Sequence, residues 1–259
     1  MSVGKYSALS GAITQQRRLE VVSNNLANLS TAGFKADRAL FQVEQTPLPN
    51  QDILYGSEPG TLSANAIEGP YQCSFSVCSG TMSDASQGVV RVTDNPLDVA
   101  IEGDGYFSVR GPSGELYTRN GSFQVDSRGR LVTQDGMAVL GRRGPIELRG
   151  KGAVYISPEG RIVQGGTEID TLKMAAFDRP EDLSKVGNSL YTNDDARQVA
   201  RKASAFKLQQ GYLEGSNVNV IEGLTELITL SRQFETYQKM LSMFSEIEKL
   251  TVQQVGHSV

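Results

Sequence analysis

The hydrophobic period changes twice along the chain, and that change constrains the fold more than any other feature. Residues 7–31 hold a single glycine and no proline, and Ala12, Leu19, Val22, Leu26 and Leu29 occupy the a and d slots of a 3.5-residue repeat, with Gln15 as a polar interruption. Such spacing predicts a helix with one apolar seam. Its stop is legible too. Gly33 suits the left-handed C′ position, which puts Phe34 at C″, within reach of Leu29 at C3.

The far end mirrors this. Asn219, followed three residues later by Glu222, has the form of a capping box. Leu227, Leu230, Phe234, Tyr237, Leu241 and Phe244 then continue an a/d seam, and Met240, Met243, Ile247 and Leu250 form a second stripe beside it. A helix over 219–255 would be ~55 Å long at ~1.5 Å per residue, so it must project or pair with something equally long.

Between the two ends the helical period vanishes. Over 89–178 short apolar runs alternate with turn sequences: Gly-Pro-Ser-Gly at 111–114, Asp-Ser-Arg-Gly at 126–129, Gln-Asp-Gly at 134–136 and Ser-Pro-Glu-Gly at 157–160. Phe107 and Val109 face Leu116 and Tyr117 across the first, and Phe123 and Val125 face Leu131 and Val132 across the second. This is the pattern of successive β-hairpins. Residues 42–87, with Pro47, Pro49, Pro59 and Pro70 and little periodicity, predict an extended connector.

The fold class expected is therefore α+β. Long terminal helices pair as a coiled-coil-like domain (1–41 and 205–259), an extended linker spans 42–88, and an all-β domain spans 89–204. Isolated helices are marginal and gain stability by packing an apolar face. The simplest solution pairs the first helix with the last and leaves a remaining stripe for neighbouring copies. Charge is compatible with this: residues 1–40 carry five basic side chains against two acidic, and residues 206–259 carry four against six.

Several chemistries are disfavoured. The single histidine, His257, is the third residue from the end, so a histidine-dependent triad or metal site would rest on the chain terminus. Cys73 and Cys78 lack two further zinc ligands at suitable spacing and are either a local disulfide or free thiols. Asp94, Asp98, Glu102 and Asp104 match neither a glycosidase pair nor a calcium loop. A net charge of −4 argues against nucleic acid. No run approaches the ~20 apolar residues of a membrane span, and no cleavable signal is visible. No catalytic residue, metal or cofactor is expected.

Three ordered motifs carry a resemblance. Ser-Asn-Asn-Leu-Ala-Asn-Leu-Ser-Thr-Ala-Gly-Phe-Lys at 23–35 is similar to the N-terminal signature of flagellar rod and hook proteins. Asp-Asn-Pro-Leu-Asp-Val-Ala-Ile-Glu-Gly-Asp-Gly-Tyr-Phe at 94–107 with Tyr-Thr-Arg-Asn-Gly-Ser-Phe at 117–123, and Gly-Tyr-Leu-Glu-Gly-Ser-Asn-Val-Asn at 211–219, resemble its centre and C-terminal entry. Residues 230–241 resemble the last helix of the proximal rod subunit in particular. Ala32 departs from the Thr or Pro that relatives often have.

The resemblance implies a structural subunit of the bacterial flagellar basal-body rod, catalysing nothing. Its implied partners are copies of itself, other rod subunits and the flagellar type III export apparatus, with its final location in the basal body beyond the inner membrane. Alternatives are a distal rod or hook-type subunit, or, from another class, a β-rich secreted peptidoglycan hydrolase. The expected assembly interface comprises Leu19, Val22, Asn24, Asn25, Leu26, Asn28 and Leu29 on the first helix. On the last it comprises Leu227, Leu230, Phe234, Tyr237, Leu241 and Phe244.

Overall fold

The computed structural model describes residues 3–46, 73–112, 114–148, 152–187, 189–194, 200–203 and 206–256. Helix α1 is Val3–Ala27; strands β1 (Asp37–Thr46) and β2 (Cys73–Ser83) follow, and helix α2 (Val220–Gly256) closes the chain. Between them lie β3 (Val90–Val92), β4 (Val99–Gly103), β5 (Tyr106–Gly111), β6 (Gly114–Thr118), β7 (Phe123–Val125), β8 (Leu131–Thr133) and β9 (Ala138–Val139). Then come β10 (Val154–Ile156), β11 (Arg161–Gln164), β12 (Thr167–Thr171), β13 (Met174–Ala176), β14 (Ser184–Lys185), β15 (Leu190–Thr192), β16 (Arg201–Lys202), β17 (Phe206–Gln210) and β18 (Tyr212–Glu214). The α+β class is as expected. The described residues fall into two compact units. One draws on Met1–Val21, Ala39–Thr81 and Thr225–Val259, the other on Val22–Arg38 and Met82–Leu224.

In the first unit the two helices pack against each other and run antiparallel. Gly4 lies against the ring of Phe244 and Gly11 against the ring of Tyr237, and Lys5 Nζ bonds Glu248 Oε2 at 2.8 Å. The two glycines are seven residues apart, and so are the two aromatic rings they receive. Small residues let the helix backbones approach, and Ala8 and Ala12 are buried in the same stretch. Along α2, hydroxyls of Thr229, Thr236, Ser245 and Thr251 donate to the carbonyl one turn back, which keeps these side chains satisfied inside a 37-residue helix.

The linker expected over 42–88 is corrected at both of its described ends, because β1 and β2 pair as a two-stranded sheet. The Ser10 hydroxyl accepts from the Ser76 N–H at 3.1 Å and donates to its carbonyl at 3.0 Å, and Thr14 Oγ1 donates to the same carbonyl at 3.3 Å. Arg18 lies over the Phe41 ring at 4.7 Å. These attachments are polar, so no apolar period announced them. The prolines expected to mark the linker lie outside the described residues, as do His257 and the Cys73 side chain; Cys78 is a free thiol.

The second unit is β-rich. Its main sheet runs β14-β15-β6-β5-β9-β8-β7, with β13 joined to β5 and β16. Pairing follows the expected hairpins, with Val109 opposite Leu116 and Val125 opposite Leu131. Three of the turns share one geometry. The N–H of Gly129, Gly136 and Gly160 each donates to the carbonyl three residues back, at 2.9 Å, with φ of +77°, +79° and +86°. This is the type I turn closed by a left-handed residue that short hairpins use, and it explains the recurrent glycine. Val99, Ile101, Phe107, Val139 and Ile162 fill the core.

The chain returns to this unit late. β17 pairs with β4, setting Gln210 opposite Val99, and β18 pairs with β3, setting Tyr212 opposite Val92. Gly211 makes the bend between them, and its carbonyl accepts from Thr93 and Asp94 N–H at 2.8 and 3.1 Å. The return delivers Glu214 to the interior and leads directly into α2.

Candidate functional sites on the helices and around Glu214

Most of the expected interface residues are engaged inside the chain. Val22 and Leu230 are buried, and Leu19, Leu26, Leu29, Leu227, Phe234, Tyr237, Leu241 and Phe244 are half-buried. Leu26 lies beside Gly223, where an added methyl would sit 3.0 Å from Leu26 Cδ2. The faces left open are different ones. Met240, Met243, Ile247 and Leu250 are exposed, Met243 to 60% and Ile247 to 56%, and on α1 Tyr6, Leu9 and Ile13 are exposed. No helix among the described residues is long and apolar enough to cross a membrane.

The asparagines divide. Asn24 is exposed, whereas Asn28 is buried, its Nδ2 donating to the Asn24 carbonyl at 2.9 Å and its Oδ1 accepting from Thr31 Oγ1 at 3.1 Å. Asn25 holds both backbone groups of Asp37, donating to its carbonyl and accepting from its N–H, each at 2.9 Å. Two of the three thus fix the turn after α1 rather than a neighbouring subunit.

The helix ends differ from each other. Asn219 Oδ1 accepts from the N–H of Ile221 at 3.1 Å and of Glu222 at 3.5 Å, both exposed to solvent at the start of α2. The Schellman ending expected at Gly33 is corrected. α1 stops at Ala27, and although Gly33 is left-handed (φ +67°), its N–H donates to the Glu214 carbonyl at 2.8 Å. Phe34 N–H goes to Thr31, not to Leu29, and the Phe34 side chain is fully buried. The physical cause is a remote partner: Gly33 sits on the backbone of Arg119 and Asn120, so closely that a Cβ would collide with the Asn120 nitrogen.

That contact belongs to a buried ion cluster that local sequence did not reveal. Lys35 Nζ lies 2.6 Å from Glu214 Oε1 and donates to the Ser86 carbonyl at 2.6 Å. Arg119 approaches Glu214 Oε2 at 3.4 Å, donates to the Gly103 carbonyl at 2.9 Å and lies over the Tyr106 ring at 5.1 Å. Gly88 N–H also donates to Glu214 Oε1, at 2.9 Å. Lys35 and Glu214 are each 1% exposed. Burial pushes the Lys35 ammonium below the usual lysine range, opposed by the carboxylate of Glu214.

A second layer secures the first. Lys185 Nζ donates to the Lys35 carbonyl at 2.8 Å and to Asp37 Oδ2 at 2.9 Å, and lies 3.9 Å from the Phe34 ring centre. Asn217 accepts from Ala36 N–H at 2.7 Å and donates to the Asp84 carbonyl at 2.9 Å. Gly121 serves the same closeness, since a Cβ there would collide with the Val99 carbonyl. The motifs at 23–35, 94–123 and 211–219 therefore meet at one place. The available signal was a charged residue inside each: Lys35 after Gly-Phe, Arg119 before Asn-Gly, and Glu214 between Leu and Gly.

Comparison with known proteins follows the same three segments. Residues 6–35 match the family described as flagella basal body rod protein, residues 100–171 the flagellar hook protein FlgE/F/G D1 domain, and residues 209–253 the flagellar basal body rod FlgEFG protein C-terminal region. The flagellar basal-body rod protein FlgF of Caulobacter vibrioides is 32% identical, over 97% of this chain and 97% of its own length. FlgG of the same organism is 32% identical over 95% and 97% respectively, and FlgF of Escherichia coli K12 is 30% identical over 92% of each.

Proposed function

We propose, from the premise that the chain belongs to the flagellar basal-body rod protein family, that it assembles into the rod through the outer faces of its terminal helices. It is a structural subunit of the flagellar basal body and not an enzyme. In this reading the pair formed by α1 and α2 packs in coiled-coil fashion within each subunit. The stripe of Met240, Met243, Ile247 and Leu250, with Tyr6, Leu9 and Ile13, meets neighbouring copies and other rod subunits. The carrying observation is that these apolar side chains are exposed while the adjacent seam is engaged. A contiguous exposed apolar face marks an interaction surface.

We further propose a proximal position in the rod, on the likeness of residues 230–241. A distal rod or hook-type subunit has less support, because residues 42–65 lack the Gly/Gln-rich stretch that the resemblance associates with the distal subunit. Export by the flagellar type III apparatus and a final periplasmic location complete the proposal.

The test is a chain carrying Met243→Asp and Ile247→Asp as the sole copy in the cell. A carboxylate buried without a partner costs several kcal/mol, and the cost recurs in every subunit. The purified variant should keep the β unit's unfolding transition while the cells lose swimming and purified basal bodies lack complete rods. Normal rods and swimming would overturn the assignment of this face.

A further inference from the structure

We propose that Glu214 is a latch that closes residues 22–38 onto the β-rich unit, so that this N-terminal segment docks only once residues 211–217 are in place. The inference does not depend on the rod reading.

Lys35 and Arg119 are both cationic and both buried, and Glu214 is the carboxylate that each contacts, through separate oxygens. Without it, closing the segment would bury two like charges beside each other, with carbonyls of Ser86 and Gly103 as their remaining acceptors. A buried charge deprived of its partner is strongly destabilising. The groups that face the cluster from other elements are Lys185 and Asp37, which bond each other, Asp84, whose charge favours the Lys35 ammonium but whose oxygens are taken by Arg38 and the Ser86 N–H, and the phenols of Tyr106 and Tyr191, which burial keeps un-ionised. None of these supplies Lys35 or Arg119 with a second carboxylate.

The backbone makes the same demand. Gly33 N–H ends on the Glu214 carbonyl, Gly88 N–H on its carboxylate, Gly215 N–H on the Val89 carbonyl, and Ala36 N–H on Asn217. Four residues, 214–217, thus satisfy groups on both 33–36 and 86–89. Lys35 and Glu214 are 179 residues apart in sequence. A chain lengthening from its N-terminus has made residues 22–38, and the β strands β3–β16, long before the latch exists. Until then the cluster holds the segment off, and docking is coupled to completion of the chain.

Hydrogen exchange on the full-length protein tests this in two ways. In refolding from denaturant with pulse labelling, amides of 33–37 should gain protection together with those of 212–217 and no earlier. Protection of 33–37 before 212–217 overturns the proposal, with no substitution involved. At equilibrium, Glu214→Gln should raise exchange in 33–37 and 86–89 on the order of a hundredfold, a factor set by the cost of breaking a buried pair. Exchange in β5, β8 and β9 should stay within a few-fold. Adding Lys35→Met to Glu214→Gln removes one of the two uncompensated cations and should restore most of the protection. A uniform rise across the unit, no rise, or no rescue would each overturn the latch.

Discussion

The seven-residue match of glycines on α1 to rings on α2 can be tested because it reverses the usual sign of a substitution. Replacing glycine by alanine inside a helix ordinarily stabilises by about 1 kcal/mol. At Gly11 the new methyl would lie 2.5 Å from Tyr237 Cε1, 2.7 Å from Cζ and 3.0 Å from the phenolic oxygen. Carbon contacts settle near ~3.5–4.0 Å, so the ring would have to retreat by roughly 1 Å. Overpacking of this kind costs about 1–3 kcal/mol, which outweighs the propensity gain. At Gly4 the nearest Phe244 atom would be 3.3 Å away, a matter of tenths of an ångström at the far end of a side chain, and the propensity gain should win. The expected result is that Gly11→Ala destabilises the helical pair by about 1 kcal/mol while Gly4→Ala stabilises it by up to about 1 kcal/mol. In a Tyr237→Ala background Gly11→Ala should become stabilising, a coupling of about 2 kcal/mol. Denaturant titration of the full chain, followed by helical circular dichroism at 222 nm, measures all four variants. If Gly11→Ala stabilises like an exposed helical site, or shows no coupling to Tyr237, the ring does not rest on that glycine.

Two further outcomes follow from the geometry. Asn28→Leu should destabilise the β-rich unit by about 1–3 kcal/mol, because it removes the groups that satisfy Thr31 and the helix end, whereas Asn24→Leu at an exposed position should stay within about 0.5 kcal/mol; equal effects would refute the inward assignment of Asn28. Asp126, through the backbone N–H of Arg130 and then its guanidinium, and Asp84, through the Ser86 backbone N–H, are held below the usual carboxylate range. Their folded values being depressed, they contribute stability that is complete above the unfolded value near about pH 3.9 and is lost as pH falls through the folded values. Asp126→Asn should therefore flatten the acid limb of the denaturation midpoint for this unit, and an unchanged acid limb would count against it.

What the sequence disclosed and what it concealed divide by the range of the interactions. The hairpins were legible because each demand is local: Gly129, Gly136 and Gly160 mark positions where φ must be positive, and the flanking apolar residues then pair with partners six residues further along the chain. The seams were legible because one helix face repeats. The β1–β2 pair was not, since Ser76 is tied to α1 by hydroxyls, and along β2 the half-buried positions are Ser76, Cys78 and Gly80 while Val77 stays exposed, so burial alternates without an apolar alternation in the sequence. Gly33 shows both sides at once. Its left-handed backbone was predictable from residue type, but its hydrogen bond was not, because the acceptor is the carbonyl of Glu214.

The same division explains why the motifs identified the family without identifying the surface it assembles through. Gly33, Gly121 and Gly88 admit backbone atoms that any side chain would displace, and Lys35, Arg119 and Glu214 must each keep its sign once buried together. Such positions accept few residue types, so they leave a pattern that can be read. Met243, Ile247 and Leu250 lie outside every motif quoted above and answer only to a requirement for apolar area. Hydrophobic burial is non-directional and tolerates exchange among apolar side chains. The legible residues are therefore those that fold the subunit. The residues proposed to join it to others carry a weaker signature, and their role rests on exposure in three dimensions rather than on letters in one.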